Sequence, residues 1–84
     1  MISTMRDMVA EALFASTLQP SDAPAAETVR ETVIMMLKRL GSDGCAASVA
    51  QEFGDHPDTA VRRMGWVRKL MSNTYPEMSS VVFS

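Results

Sequence analysis

Apolar side chains recur at the three- and four-residue spacing of amphipathic helices over most of the chain. This pattern predicts a first helix over residues 5–17. Thr4 is placed to cap its start, and Asp7 completes a short capping box three residues later. Pro20 disfavours helical geometry in the residue before it, Gln19, and so limits the end of the helix. The expected core stripe consists of Met5, Met8, Val9, Ala12 and Leu13.

The longest periodic segment predicts a second helix over residues 24–40. Asp22 is the expected cap, and Pro24 suits the first turn because its missing N–H would be unpaired there in any case. Gly41 follows directly and is expected to end the helix in a left-handed conformation. The core stripe of this helix consists of Val29, Val33, Met36, Leu37 and Leu40.

Two further helices are predicted over residues 44–53 and 57–71. We expect Gly54 to separate them with a positive φ angle, which a residue with a Cβ would adopt only with strain. The sequence therefore predicts an all-α fold, a compact bundle of about four helices. Residues 1–76 form a single helical domain, and residues 77–84 form a short C-terminal tail.

Composition limits the function classes further. The chain has 84 residues, enough for one domain, and 46% of them are hydrophobic. No apolar run approaches the roughly 20 residues of a membrane-spanning helix, and the N-terminus does not resemble a signal peptide. Cys45 is the only cysteine and excludes an internal disulfide, so we expect a cytoplasmic protein with Cys45 facing the core.

The sequence offers no catalytic constellation. His56 is the only histidine and has no paired serine or cysteine nearby in the sequence, and one histidine with one cysteine cannot complete a zinc site. Asp55 and Asp58 flank His56, and helix capping explains them. The glycines form no phosphate-binding loop. We therefore expect no enzyme, no metal, no cofactor and no small-molecule substrate.

Residues 49–62 resemble a bacterial helix-turn-helix motif, which makes the C-terminal half helix-turn-helix-like. In such motifs a small residue, here Ala50, lets two helices approach, and a glycine, here Gly54, forms the turn. A second helix then presents its polar start to the major groove of DNA. The chain departs from the motif at Asp55, where an apolar residue is usual, and at Ala60, where a β-branched one is expected.

The charge pattern supports a nucleic-acid contact on the last helix. Residues 1–54 carry seven acids against four bases, whereas residues 55–84 carry four bases against three acids. Helical spacing puts most of the polar and basic candidates opposite the apolar stripe. Trp66 is ambiguous, because the first helix could also cover it. The nucleic-acid-binding candidates are Asp58, Thr59, Arg62, Arg63, Trp66 and Lys69.

Two segments resemble small uncharacterised helical proteins of high-GC actinobacteria. They are Leu18-Gln19-Pro20-Ser21-Asp22 and Gly44-Cys45-Ala46-Ala47-Ser48-Val49-Ala50-Gln51-Glu52-Phe53-Gly54-Asp55-His56-Pro57. The resemblance implies a cytoplasmic bacterial protein and brings no established activity with it.

Two functions fit these observations. The first is a small non-enzymatic regulatory protein that contacts duplex DNA through the helix-turn-helix-like segment. The second is a protein–protein interaction module, dimeric or adaptor-like, of unknown pathway. Homodimerisation is expected in both cases, because a short chain with wide apolar stripes leaves part of them exposed.

Overall fold

The computed structural model describes residues 4–76 of the chain, and every regular element among them is helical. Helix α1 spans Met5–Ala15, helix α2 spans Ala26–Asp55 and helix α3 spans Pro57–Thr74. A short 3-10 turn, Pro20–Asp22, lies between α1 and α2. The predicted all-α class is confirmed, but the helix count of about four is wrong for the described residues. The predicted tail, residues 77–84, lies outside them.

Helix α1 starts as its sequence predicts and ends two residues earlier than expected. The Thr4 hydroxyl accepts a hydrogen bond from the Asp7 N–H at 3.0 Å, and the Thr4 N–H donates to the Asp7 carboxylate at 3.4 Å. These two bonds are the predicted capping box. At the other end, the Ser16 hydroxyl donates to the Leu13 carbonyl at 2.6 Å and closes the last turn.

Helix α2 joins the two predicted helices, 24–40 and 44–53, into one kinked element, and the only non-helical residue between them is Gly41. Gly41 has φ 72° and ψ 168°, so its φ is positive, but its ψ lies outside the left-handed helical conformation that was predicted. The chain resumes helical geometry directly after Gly41 instead of forming a loop. The predicted cap, Asp22, does not cap α2. Its carboxylate accepts from the Gln19 N–H at 2.9 Å within the 3-10 turn, and Ala25 precedes the helix without a side-chain cap.

The predicted turn at Gly54 is wrong. Gly54 is not among the residues with positive φ, and α2 continues through it to Asp55. The break falls on His56, with φ −140° and ψ 68°, because Pro57 disfavours helical geometry in the residue before it. One non-helical residue therefore separates α2 from α3, whereas a helix-turn-helix motif uses three or four. Ala50, the expected small contact residue, is exposed.

All three helices contribute to one core, which positions α3 beside the end of α1. Cys45 is completely buried, as predicted, and Phe14 stacks on Phe53 with ring centroids 5.9 Å apart. Two expected core residues are exposed instead, Met5 at the first turn of α1 and Leu40 at the kink. The buried apolar residues are Val9, Ala12, Leu13, Phe14, Val29, Val33, Met36, Cys45, Ala60, Val67, Leu70 and Met71. No helix within residues 4–76 combines the length and apolar character that a membrane span requires.

Candidate binding groove beside Trp66

The structure divides the six predicted nucleic-acid-binding residues into two sets. Asp58, Thr59, Arg62 and Lys69 are exposed on α3, whereas Arg63 and Trp66 are half-buried. Four of the six line one groove between the start of α3 and the segment that follows α1, and Asp58 and Lys69 do not. The groove has a volume of about 460 Å³. Its lining residues are Ser16, Thr17, Leu18, Gln19, Pro20, Thr59, Arg62, Arg63 and Trp66.

Arg63 joins the two walls of this groove. Its Nε donates to the Phe14 carbonyl at 2.9 Å, and its Nη2 donates to the carbonyls of Ser16 at 2.9 Å and Leu13 at 3.3 Å. The last carbonyls of a helix lack intrahelical donors, and α1 has no basic residue in its own last turn. Arg63 thus supplies from α3 the positive charge that a helix C-terminus favours.

The same guanidinium orders the aromatic residues at the base of the groove. Its central carbon lies 5.6 Å from the Phe14 ring centroid and 5.5 Å from the Trp66 ring centroid, within the range of cation–π contacts. Burial lowers the pKa of Arg63 from its ordinary value, and Glu52 acts in the opposite direction. An arginine side chain stays protonated under such shifts, so Arg63 holds Trp66 in place as a cation.

The segment after α1 is ordered by short local bonds. The Leu18 N–H donates to the Ser16 hydroxyl at 3.2 Å, and the Gln19 N–H donates to Asp22. Leu18 is half-buried against the core, while Gln19 and Pro20 are exposed along the rim. The groove is therefore largely preformed on one side, which reduces the entropy lost when a ligand binds.

The groove offers donors that have no protein partner in the described part of the chain, and its lining is basic. Its lining contains two arginines and no carboxylate. Within residues 4–76, neither the guanidinium of Arg62 nor the indole N–H of Trp66 makes a hydrogen bond. A tryptophan N–H that is partly buried usually finds a partner, so the unpaired one is free to donate to a ligand. The arrangement favours a ligand that carries an acceptor with negative charge beside an apolar group.

A second cleft lies between α1 and α3, with a volume of about 450 Å³. Glu11, Arg68 and Met64 are among its lining residues. One carboxylate oxygen of Glu11, Oε1, is buried without a hydrogen-bond partner in the described part of the chain, while the side chain as a whole is partly exposed. Burial, and secondarily Asp7, raises the pKa of Glu11. The mixed charges of this cleft indicate no particular ligand.

Cys45 and the metal-ligating residue types of residues 4–76 bear on nucleophilic and metal chemistry. Burial, with a smaller contribution from Glu11, raises the pKa of the Cys45 thiol and disfavours the reactive thiolate. Within residues 4–76, no group of three or more His, Cys, Asp or Glu side chains is placed to hold a metal ion.

The role of Arg63 was not predicted from the sequence. Its three carbonyl partners lie 47 to 50 residues away along the chain, and no local pattern reports such a contact. A weak indication was available in α1 itself. Its final turn contains no basic residue, and no glycine follows the helix. The segment from Ser16 to Pro20 completes the groove, but its sequence indicates only the end of a helix.

Comparison with known proteins adds no relative: no family model, curated protein or solved structure matches the chain. The actinobacterial resemblance therefore stays a prediction.

Proposed function

We propose that the chain is a non-enzymatic protein-interaction module that binds an acidic segment of a partner protein in the Trp66 groove. The observation that carries the proposal is the composition of the groove, which combines an aromatic ring and two arginines with no carboxylate. A partner segment with an Asp or Glu next to a large apolar residue would satisfy both features. We expect a cytoplasmic protein, because a lone buried thiol suits a reducing compartment.

Arg62 is the residue that would recognise the negative charge. It is exposed at the groove and makes no hydrogen bond within residues 4–76, so a carboxylate would not have to displace an existing partner. Arginine also binds carboxylates through two parallel hydrogen bonds, which fixes orientation as well as affinity. Arg63 contributes charge, but its hydrogen bonds are used on α1.

The openness of the groove favours a peptide segment over a small molecule. Thr17, Gln19, Pro20, Thr59 and Arg62 are all exposed along its walls. Small-molecule sites usually bury most of the ligand surface, whereas peptide grooves leave one side of the ligand in water. An extended segment would place an apolar side chain against Trp66 and Leu18 and leave its backbone along the rim.

A selection followed by NMR tests the proposal. A phage-displayed library of random heptapeptides is selected on the immobilised chain, with the Arg62→Gln variant as the counter-selection. We expect the enriched peptides to pair an acidic residue with a large apolar one. Trp66 is the only tryptophan, so its single indole N–H signal in an ¹⁵N-correlation spectrum reports directly on the groove.

Affinity measurements then separate recognition of the peptide's charge from nonspecific binding. Loss of one charge-assisted contact should weaken the selected peptide about tenfold in Arg62→Gln. Lys69→Gln removes an equal charge from α3 outside the groove and should bind like the wild type. Enrichment of peptides without acidic residues, or a Trp66 signal that does not move on binding, would refute the proposal.

A second candidate function, contact with duplex DNA, is favoured by one observation. Arg62, Arg68 and Lys69 are exposed on α3, and no acidic residue occurs between Thr59 and Pro76. The absence of the Gly54 turn removes the motif on which the DNA hypothesis first rested, so the basic surface has to support it alone. About three phosphate contacts would give weak, salt-sensitive binding, with log K falling about 0.9 per contact against log salt.

Fluorescence anisotropy with random duplex DNA at low salt tests this candidate. An Arg62→Ala, Lys69→Ala double variant should lose most of the binding, and the wild type should show the shallow salt dependence of about three contacts. Binding that is equal in the double variant, or that does not respond to salt, would leave the peptide groove as the better account.

A further inference from the structure

The outer face of α2 exposes large apolar side chains that no helix of the described chain covers. Ile34 is 55% exposed and Met35 is 48% exposed. They share a shallow hollow of about 420 Å³ with Glu31, Lys38 and Arg39, and none of these residues lines the Trp66 groove. We call this surface, made by these five residues, the α2 face. Adjacent apolar side chains framed by charges are a common feature of protein contact surfaces.

The charges on the α2 face are complementary to those of a second, antiparallel copy of the same face. Glu31 and Lys38 are seven residues, or about two turns, apart, so they lie on the same side of the helix. The midpoint between them falls between Ile34 and Met35. Both are exposed, and neither forms an ion pair within residues 4–76. Turning a second copy by 180° about that midpoint brings each glutamate opposite a lysine.

We propose that the α2 face joins two copies of the chain through antiparallel pairing of their α2 helices. Glu31 of each copy then lies opposite Lys38 of the other, and the Ile34 and Met35 side chains pack between the two ion pairs. Such a contact is isologous, because the same surface serves both copies. A parallel pair would instead oppose glutamate to glutamate and lysine to lysine.

The flanking arginines are compatible with this geometry. At 100° per residue, Arg30 and Arg39 project to opposite flanks of the α2 face. In an antiparallel pair related by a twofold axis, each flank of one helix lies beside the same flank of the other helix. Arg30 of one copy therefore does not contact Arg39 of the other. A contact limited to one pair of helices is small, and we expect a reversible dimer in the micromolar range.

Charge reversal followed by sedimentation equilibrium tests the arrangement. In Glu31→Lys or Lys38→Glu, two attractive pairs become two repulsive ones, and the dimer dissociation constant should rise at least about tenfold. The double variant Glu31→Lys, Lys38→Glu restores opposite charges across the axis and should dimerise like the wild type. Asp55→Lys makes the same charge change at the far end of α2, at an exposed position outside the hollow, and serves as the control.

A second variant makes the test independent of charge. Ile34 lies beside its own counterpart across the axis, so Ile34→Cys should form a disulfide-linked dimer under mild oxidation. Cys45 is buried and stays reduced in the folded chain. A wild-type chain that is monomeric at about 100 μM, well above the expected dissociation constant, would overturn the proposal. A double charge variant as weak as the single ones would also overturn it. Peptide binding in the Trp66 groove is read separately by NMR, so either proposal can fail without the other.

Discussion

Arg63 shows how one side chain sets the geometry of the groove. Its guanidinium donates three of its five N–H groups to carbonyls at the end of α1 and lies over two aromatic rings. Lysine has a single ammonium group and cannot reproduce this arrangement. The position therefore depends on arginine for its shape as well as its charge.

Replacing Arg63 should lower the stability of the folded chain. We expect Arg63→Ala to reduce the free energy of unfolding by about 2–3 kcal/mol, because several charge-assisted hydrogen bonds and two ring contacts disappear together. Arg63→Lys should recover less than half of that loss. Urea unfolding monitored by Trp66 fluorescence measures both variants, and Arg62→Ala is the matched control because Arg62 makes no such bonds within residues 4–76.

Glu11 places an unfavourable charge at the second cleft. Its raised pKa means that the folded chain binds a proton more tightly than the unfolded chain. The free energy of unfolding should therefore fall as the pH rises through the folded-state pKa of Glu11. Below about pH 4.3, the ordinary glutamate value, both states are protonated and this penalty is absent.

Glu11→Gln should raise stability at neutral pH and flatten the pH dependence above the ordinary glutamate pKa. The amide keeps the size of the side chain and removes the charge whose solvation is incomplete. Thermal unfolding at several pH values checks this expectation, with Asp7→Asn as a comparison that also removes the secondary influence on Glu11. A Glu11→Gln chain that is less stable than the wild type at pH 7 would contradict it.

At the scale of elements, the sequence was sufficient to predict those features that depend on residues close together along the chain. The Thr4–Asp7 capping box and the positive φ of Gly41 each depend on residues a few positions apart. The predicted break at Gly54 was wrong, because Pro57 disfavours helical geometry at His56 and ends the helix there. No residue before His56 needs a positive φ to end it. The groove could not be predicted, because its walls come from α3 and from a segment about 45 residues earlier.

Gly41 in α2 and Gly65 in α3 should respond oppositely to alanine. Gly41 has a φ of 72°, which strains any residue with a Cβ, so Gly41→Ala should cost about 1–3 kcal/mol. Gly65 lies inside α3, is exposed and has no atom within 4 Å of the space a Cβ would fill. Alanine is the better helix former, and Gly65→Ala should therefore stabilise the chain by up to about 1 kcal/mol.

Melting temperatures of these two variants test the assignment of the kink. Gly54→Ala is the informative third variant, because Gly54 lies within α2 with open space around it. It should be neutral or slightly stabilising, which is the opposite of what a left-handed turn at Gly54 would give. A strongly destabilised Gly54→Ala chain would restore the predicted turn.

At the scale of the whole molecule, the three helices depend on a shared core. Each helix contributes buried side chains to the same cluster, and the Cα radius of gyration is 12.3 Å. An isolated helix as short as α1 is marginal in water, and helices in proteins gain most of their stability from packing against one another. We therefore expect the helices to unfold together in a single cooperative transition.

The Arg63 bridge also has a consequence for how the chain folds and unfolds over time. Its partners are separated by 47 to 50 residues, and closing so long a loop is entropically costly, so we expect the bridge to form late in folding. Interactions that are absent from the folding transition state slow unfolding and leave the folding rate almost unchanged. Arg63→Ala should therefore shorten the lifetime of the native state mainly by faster unfolding, visible in stopped-flow kinetics. The side chain that shapes the groove would then also determine how long each molecule stays folded.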